Sequence, residues 1–173
     1  KKINAVGGAD AHAIKFRKSI LKRTVFPYEF HFSAINNHLL IDEPFTGQLD
    51  HDKALVYDAL RKGRSFIGYD LPASTCGFRF IVEDGYGEHH LGETVKLDTG
   101  ATARINLPKK ATIRLIHNGK VIEEKTDADR LAYPLSEPGY YRVECTIHYL
   151  GKQRGWIYSN PIFAKPANRR KVL

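Results

Sequence analysis

Asp10 and His12 are the residues of this sequence whose types and spacing most clearly allow chemistry. They lie two positions apart in the stretch AVGGADAHA, residues 5–13, directly after Gly7 and Gly8. Residues two apart in an extended segment point to the same side, so the pair offers a carboxylate oxygen and an imidazole nitrogen in one direction. This donor set suits a divalent transition metal such as Zn, Mn or Fe, and the glycines leave space for an ion. The alternative is structural, with the aspartate capping the turn that follows.

The elements predicted around this pair are of mixed α and β type. Residues 3–6 form a short apolar run that predicts a buried strand, and the basic stretch 13–23 predicts a helical turn or an ordered loop. A helix is predicted to open at Asp50 or His51 and to end before Gly63, which supplies a left-handed stop. The apolar residues that share one face of this helix are Leu55, Val56, Ala59 and Leu60.

From Gly77 onward the hydrophobic period falls to two, which predicts β-strands. Asn118-Gly119 is a strong signal for a two-residue hairpin, and Pro108 is predicted to end a strand. About seven strands separated by turns indicate an antiparallel β-sandwich. The chain is therefore predicted to be mainly β and to divide into three parts, namely an α/β part over residues 1–70, a sandwich over residues 71–165 and a basic tail over residues 166–173.

The sequence EPGYYRV, residues 137–143, has the acid-x-Gly-x-Tyr-x-apolar pattern that begins strand F of immunoglobulin-like sandwiches. Tyr141 is predicted to be the buried corner tyrosine, with its hydroxyl bonded to the backbone. Val143 stands where antibody domains carry a cysteine, so no inter-sheet disulfide is expected. Trp156 is predicted to pack partly against the first part of the chain. A bend or bulge is expected at Asn160-Pro161, since proline lacks the donor that a central ladder needs.

Overall charge and cysteine content narrow the classes of partner. The net charge is +8, but the basic residues are spread along the chain and no nucleic-acid-binding motif is present, so no specific nucleic-acid partner is expected. A modest positive field favours small anionic substrates such as phosphates. No apolar run reaches the roughly 20 residues that span a bilayer, so no membrane partner is expected.

Cys76 and Cys145 are predicted to be buried free thiols, which favours a reducing compartment, the cytoplasm.

Several pieces of the sequence resemble one family. GGADAHA, residues 7–13, resembles the last metal-ligand motif of the PHP (polymerase and histidinol phosphatase) family, which is usually Gly-Ser-Asp-x-His. The pieces VFPYEF, NNHLLI, ALRKGRSFIGYD and RGWIYSNPIFA resemble a subgroup of PHP metallohydrolases in which a β-sandwich follows the catalytic barrel. The likeness spans nearly the whole chain. One departure within the opening motif is Ala9, where serine is common.

The resemblance implies a distorted (β/α)7 barrel that holds a cluster of divalent metal ions, and this chain would carry its C-terminal remnant before an immunoglobulin-like sandwich. Asp10 and His12 match the last two metal ligands, and the other ligands are expected upstream of residue 1. The implied function is hydrolysis of a phosphorylated small molecule by the longer protein, with the upstream barrel packed on the sandwich and this chain inactive alone. Amide or carbamate cleavage within the same family is one alternative, and a non-catalytic interaction module is another.

The other histidines are expected to be structural or exposed. His38 is a candidate for the second layer behind the metal ligands, and a packed, hydrogen-bonded histidine is the alternative. His89 and His90 fall in a hairpin region and are predicted to face solvent. His117 and His148 are also predicted to be surface residues, because each is assigned to the polar side of its strand.

Overall fold

The structure is a computed structural model that describes residues 3–18 and 21–167. In the described part of the first 70 residues the elements are β1 (Ile14–Lys18), β2 (Leu21–Val25), α1 (Tyr28–Phe32), β3 (Ile35–Leu39), α2 (Leu49–Lys62) and β4 (Ser65–Tyr69). The strands that follow are β5 (Arg79–Asp84), β6 (Gly87–His89), β7 (Thr94–Leu97), β8 (Ala101–His117), β9 (Lys120–Leu135), β10 (Gly139–Tyr149), β11 (Lys152–Ser159) and β12 (Ile162–Pro166). The protein is therefore mainly β, as predicted.

Neither of the helices in the described residues is long and apolar enough to cross a bilayer. The predicted basic tail at residues 166–173 lies outside the described residues from position 168 onward.

Two predictions for the beginning of the chain are wrong. Residues 3–6 are not a buried strand, because they join no ladder and because Ile3 and Val6 are 79% and 62% exposed. The basic stretch predicted as a helical turn or a loop is instead a hairpin of β1 and β2, with Ile14 opposite Val25. Apolar and basic residues alternate along β1 with a period of two, which fits a strand.

Helix α2 forms as its sequence predicts. Asp50 and Asp52 lie in its first turn and Arg61 and Lys62 in its last, so these charges complement the helix dipole. The helix ends at Gly63, whose φ of 73° is a left-handed conformation that glycine adopts without a side-chain clash. The chain then enters β4, the strand that connects the first part to the main sheet.

Ten of the described strands form one curled sheet around a common hydrophobic core. The main path runs β3-β4-β11-β10-β8-β5-β6, while β9 pairs with β8, and β12 pairs with β10 and β7. β7 and β12 are parallel, and β10 changes partner from β12 at residues 139–141 to β11 at residues 144–149. Because β4 pairs with β11, the sheet runs across residue 70, and the predicted division there stays a prediction.

Strands β8 and β9 form one long hairpin. Its turn is Asn118-Gly119, as predicted, and both residues have positive φ angles, 49° and 85°, as a type I′ turn requires. Pro108 does not end a strand, contrary to the prediction, but lies inside β8. The register of β8 with β9 is interrupted between Asn106 and Ala111, and this break accommodates a residue that has no N–H for the ladder.

Tyr141 makes the predicted corner contact. Its side chain is buried, and its hydroxyl donates to the carbonyl oxygen of Glu137 at 2.6 Å. The ring of His117 stacks on that of Tyr141 with 4.4 Å between centroids, and its Nε2 lies 3.2 Å from the carbonyl oxygen of Pro138. The prediction that His117 is a surface residue is therefore wrong. His117 lies two positions after Leu115, on the buried face of β8.

Trp156 is fully buried in the core, and its Nε1 donates to the carbonyl oxygen of Ala73 at 2.8 Å. Phe66 of β4 belongs to the same core, and the hydrogen bond of Trp156 ties β11 to the segment that follows β4. The ladder is interrupted at Asn160-Pro161, because β11 ends just before these residues and β12 begins just after them, and the expected bend or bulge stays a prediction.

Cysteine and histidine burial follows the predictions only in part. Cys145 is a buried free thiol, as predicted, and burial raises its pKa to about 12. Cys76 is exposed, contrary to the prediction, because it lies in the loop between β4 and β5. His89 and His90 are half-buried rather than solvent-facing, and the Nε2 of His89 lies 3.0 Å from the Asp84 carboxylate.

Candidate functional site

The segment 3–7, which leads to the candidate metal-ligating pair, is fixed by asparagine side chains. The amide of Asn37 accepts a hydrogen bond from the N–H of Gly7 and donates to its carbonyl, both at 2.8 Å. The amide of Asn160 makes the same two contacts with Ala5, at 2.7 and 3.1 Å. Each amide supplies one donor and one acceptor, as a neighbouring strand would. The segment is therefore held in place without joining a ladder.

Close packing against the sheet and against α2 positions the same segment. A Cβ at Gly7 would lie 2.7 Å from a methyl carbon of Ile67 and 3.0 Å from one of Ile35. A side chain at this position would therefore push the segment off β3 and β4. On its other side, the Nδ2 of Asn4 donates to two carbonyl oxygens in the last turn of α2, at 3.1 and 2.9 Å. The Leu60 carbonyl also accepts from the N–H of Gly63, so Asn4 adds a side-chain cap to the C-terminus of the helix.

Asp10 and His12 lie side by side beyond the glycines. Their side chains are 93% and 73% exposed. The Nδ1 of His12 lies 2.8 Å from the backbone carbonyl oxygen of Asp10 and 3.5 Å from its carboxylate. Asp10 has a φ of 44°, in the left-handed region that aspartate tolerates better than most residues. This turn places the imidazole beside the aspartate.

The Nδ1 contact determines which nitrogen of His12 is able to bind a metal. A carbonyl oxygen only accepts hydrogen bonds, so Nδ1 carries the proton and the lone pair of the neutral ring is on Nε2. Metal-binding histidines commonly donate their other ring N–H to a backbone carbonyl in this way. Asp10 and His12 therefore offer a carboxylate oxygen and an imidazole nitrogen, the donor set that suits Zn, Mn or Fe.

Two donors alone do not complete a metal centre. Within residues 3–18 and 21–167, no three His, Cys, Asp or Glu side chains come close enough together to hold a metal ion. Catalytic zinc sites use three protein ligands and structural zinc sites use four. The Asp10–His12 pair thus fits a metal by its chemistry and needs further ligands to hold one firmly.

His38 belongs to a hydrogen-bond network with Asp70 and Thr75. Its Nε2 lies 2.8 Å from the Oγ1 of Thr75, which donates to the Asp70 carboxylate at 2.7 Å. Burial by itself raises the pKa of Asp70, but hydrogen bonds from Thr75 and Asn36 outweigh it and hold the pKa below its usual value. Since ionised Asp70 takes the hydroxyl proton, His38 donates to Thr75 through Nε2. The His38 ring also stacks on Phe66, with 4.4 Å between centroids.

This network has the composition of a hydroxyl, histidine and carboxylate triad but not its geometry. Thr75 is fully buried, and its hydroxyl proton is held by the carboxylate, so it is not an activated nucleophile. Instead, the network ties β3 and β4 to the loop that follows β4. A packed and hydrogen-bonded His38 is confirmed, and its role behind the metal ligands stays a prediction. No sequence pattern reveals the network, because His38 and Thr75 are 37 positions apart.

The first part of the chain exposes many large apolar side chains. Those before position 58 are Ile3, Val6, Ile14, Phe16, Phe26, Tyr28, Phe30, Phe32, Leu40, Phe45, Leu49 and Tyr57. Around α1 the rings contact one another, with centroid distances of 5.7 Å between Phe26 and Phe30 and 6.0 Å between Tyr28 and Phe32. Large exposed apolar patches mark interaction sites in proteins. The group of exposed rings around α1 therefore has the character of an interface.

Comparisons with known proteins identify no relative. No protein-family model matches the sequence, and neither a curated protein nor a solved structure matches it. The function is therefore inferred from the residues and contacts described above.

Proposed function

We propose that this chain is the C-terminal part of a PHP-type metal-dependent hydrolase that acts on phosphoesters, and that Asp10 and His12 bind one of its metal ions. The observation that carries the proposal is the contact of His12 Nδ1 with the Asp10 carbonyl oxygen at 2.8 Å, which leaves the lone pair of the imidazole on Nε2. The Asp10 carboxylate, 3.5 Å from Nδ1, is exposed and supplies the second donor. The motif GGADAHA supports the same assignment, because it resembles the last ligand motif of that family.

The two ligands and two supporting asparagines each have a defined role in this site. Asp10 supplies an anionic oxygen ligand through its carboxylate, and its carbonyl oxygen orients the imidazole of His12. His12 supplies a neutral nitrogen ligand. Asn37 and Asn160 fix the preceding backbone, so the two ligands start from a defined position. When bound, a divalent ion lowers the pKa of a water ligand and polarises the phosphoryl group of the substrate.

An upstream barrel is the partner that accounts best for the exposed apolar surface. The β1–β2 hairpin begins two residues after His12 and pairs with no other described strand. An isolated two-stranded hairpin is marginally stable in water, so it gains stability by packing on a neighbour. The exposed aromatic side chains around α1 would also gain stability by packing on a neighbour. A barrel that packs here covers this surface and brings the remaining metal ligands to Asp10 and His12.

We also propose that residues 71–165 form an immunoglobulin-like sandwich that supports the barrel remnant. The corner bond from the Tyr141 hydroxyl to the Glu137 carbonyl supports this assignment. So does the position of Val143, which is fully buried where antibody domains have a cysteine. The change of partner along β10 supports it as well, because such a change allows a curled sheet to open into two layers.

A non-catalytic interaction module is the second candidate function. It is favoured for the chain by itself, because no three metal-ligating side chains cluster within the part of the chain that the structure describes. Its partner would bind the same exposed apolar surface. Amide or carbamate cleavage is a third candidate, in which the Asp10–His12 pair keeps its role and only the bond that is cleaved differs.

The test uses the longer protein that contains this chain, assayed with an aryl phosphate, an aryl amide and an aryl carbamate in Mn and in Zn. We expect metal-dependent cleavage of the phosphate. Loss of a direct ligand should cost at least as much as loss of a supporting group, so Asp10→Ala and His12→Ala should each lower the rate by about 100-fold or more.

The matched controls are Asp98→Ala and His148→Ala, which remove an exposed aspartate and an exposed histidine elsewhere on the protein. Both should keep the wild-type rate. Wild-type rates in Asp10→Ala and His12→Ala would contradict the ligand assignment. Cleavage of the amide or carbamate alone would mean that the enzyme cleaves that bond and not a phosphoester. No turnover of any of the three substrates would favour the interaction module.

A further inference from the structure

A depression of about 450 Å³ lies where β3, β4 and β11 meet. Its wall and floor include Ile35, Ile67, Tyr69, Gln153, Arg154 and Tyr158. Ile35 and Ile67 make the floor apolar, and both also contact Gly7 of the segment that precedes the Asp10–His12 pair. Small-molecule sites have this composition, with an apolar lining and a few polar groups that orient the ligand.

Gly155 allows the ring of Tyr158 to form one wall. A Cβ at Gly155 would lie only 1.8 Å from the Tyr158 hydroxyl oxygen, so no other residue permits this position of the ring. Tyr158 as a whole stays 40% exposed. Tyr69 is the second aromatic residue that lines the depression. Its ring packs edge to face on that of Tyr149, with 6.3 Å between the ring centroids and 84° between the ring planes. Two aromatic side chains are thus presented to the depression in defined positions.

Arg154 provides a cation at the same place. Its Nε donates to the carbonyl oxygen of Tyr149 at 3.2 Å, which orients the guanidinium group. Other half-buried arginines, Arg64, Arg114 and Arg142, each contact a carboxylate. In contrast, no carboxylate of residues 3–18 and 21–167 forms an ion pair with Arg154. Its two terminal nitrogens are therefore available to an anion, and guanidinium matches carboxylate and phosphate groups in shape.

We propose that this depression is a binding site for a planar aromatic anion. The ring of the ligand packs on Ile67 and against Tyr69 and Tyr158, and its carboxylate or phosphate accepts hydrogen bonds from Arg154. The site is distinct from the Asp10–His12 pair and needs no metal. It is independent of the proposed hydrolase function, so either assignment holds if the other fails.

The test is an NMR titration of this chain with 2-naphthoate, in the absence of metal. A ligand of this size should bind with a dissociation constant of about 1 mM. The expected result is a set of shifts confined to Arg154 Nε–H and to the amides of β3, β4 and β11 around the depression. Neutral 2-naphthamide and non-aromatic cyclohexanecarboxylate should each bind about tenfold more weakly, and 2-naphthyl phosphate shows which anion is preferred.

Arg154→Gln should weaken 2-naphthoate binding about tenfold, whereas Arg130→Gln, an exposed arginine on β9, should leave it unchanged. Equal affinity for 2-naphthoate and 2-naphthamide would overturn the proposal, as would shifts that map elsewhere on the protein. The comparison of ligands uses the wild-type chain, so the proposal stays testable even if Arg154→Gln fails to fold.

Discussion

Replacing Tyr141 by phenylalanine isolates the corner hydrogen bond. The substitution removes one oxygen and keeps the ring that stacks on His117. The lost bond is 2.6 Å long and its donor is buried, but Glu137 is exposed, so water can partly replace the donor at its carbonyl. The expected loss in the free energy of unfolding is therefore in the lower range for a buried bond, about 1–2 kcal/mol. For a chain of this size that lowers Tm by roughly 2–8 °C.

Thermal unfolding followed by circular dichroism measures this loss, and the neighbouring Tyr140→Phe is the matched control. Tyr140 is exposed and its hydroxyl has no hydrogen-bond partner among the described residues, so its removal should change Tm by less than about 2 °C. Burial raises the pKa of Tyr141, so its hydroxyl stays protonated and the difference between the variants should be constant from about pH 5 to 9. Equal Tm values for the two variants would refute the corner assignment.

The remaining predictions concern the core, acid stability and catalysis. Trp156→Ala should lower the free energy of unfolding by about 3–5 kcal/mol, because it empties a fully buried site and leaves the Ala73 carbonyl without its donor. A Tm within about 2 °C of wild type would exclude a central role of Trp156 in the core. The pKa of Asp70 is lower in the folded than in the unfolded state, so its stabilisation is present above about pH 4 and is lost as the pH falls through the folded value. Urea unfolding of Asp70→Asn should therefore show a deficit against wild type at pH 7 that shrinks towards pH 2, while exposed Asp98→Asn should show none; a deficit for Asp70→Asn that is constant with pH would contradict the network. This chain alone should show no hydrolysis of an aryl phosphate with Mn or Zn, since its pair of ligands does not hold an ion with defined coordination, and metal-dependent turnover would disprove that.

Features with a local cause were predicted correctly. Helix α2 has charges and a glycine stop within its own sequence, and the Asn118-Gly119 turn needs only two residues with positive φ. The corner bond of Tyr141 spans four residues, so a short motif contains both of its partners. In each case the interaction that determines the structure lies within one turn or one helix.

The features that the sequence patterns miss depend on distant partners. Pro108 stays inside β8 because the irregular register with β9 tolerates it, and that register is a property of two strands. Burial of Thr75 and its bonds to His38 and Asp70 follow from the folding of a loop onto β3. The apolar run predicts a strand for the segment that leads to Asp10, but side-chain amides hold this segment instead of a ladder.

Anomalous diffraction from zinc-saturated crystals of the longer protein tests the metal-ligand assignment most directly. The predicted result is a zinc peak about 2.0–2.2 Å from a carboxylate oxygen of Asp10 and from Nε2 of His12. The Nδ1 of His12 should still donate to the Asp10 carbonyl oxygen, as it does in this structure. A zinc centre that excludes both residues, or no anomalous peak beside them, would contradict the assignment.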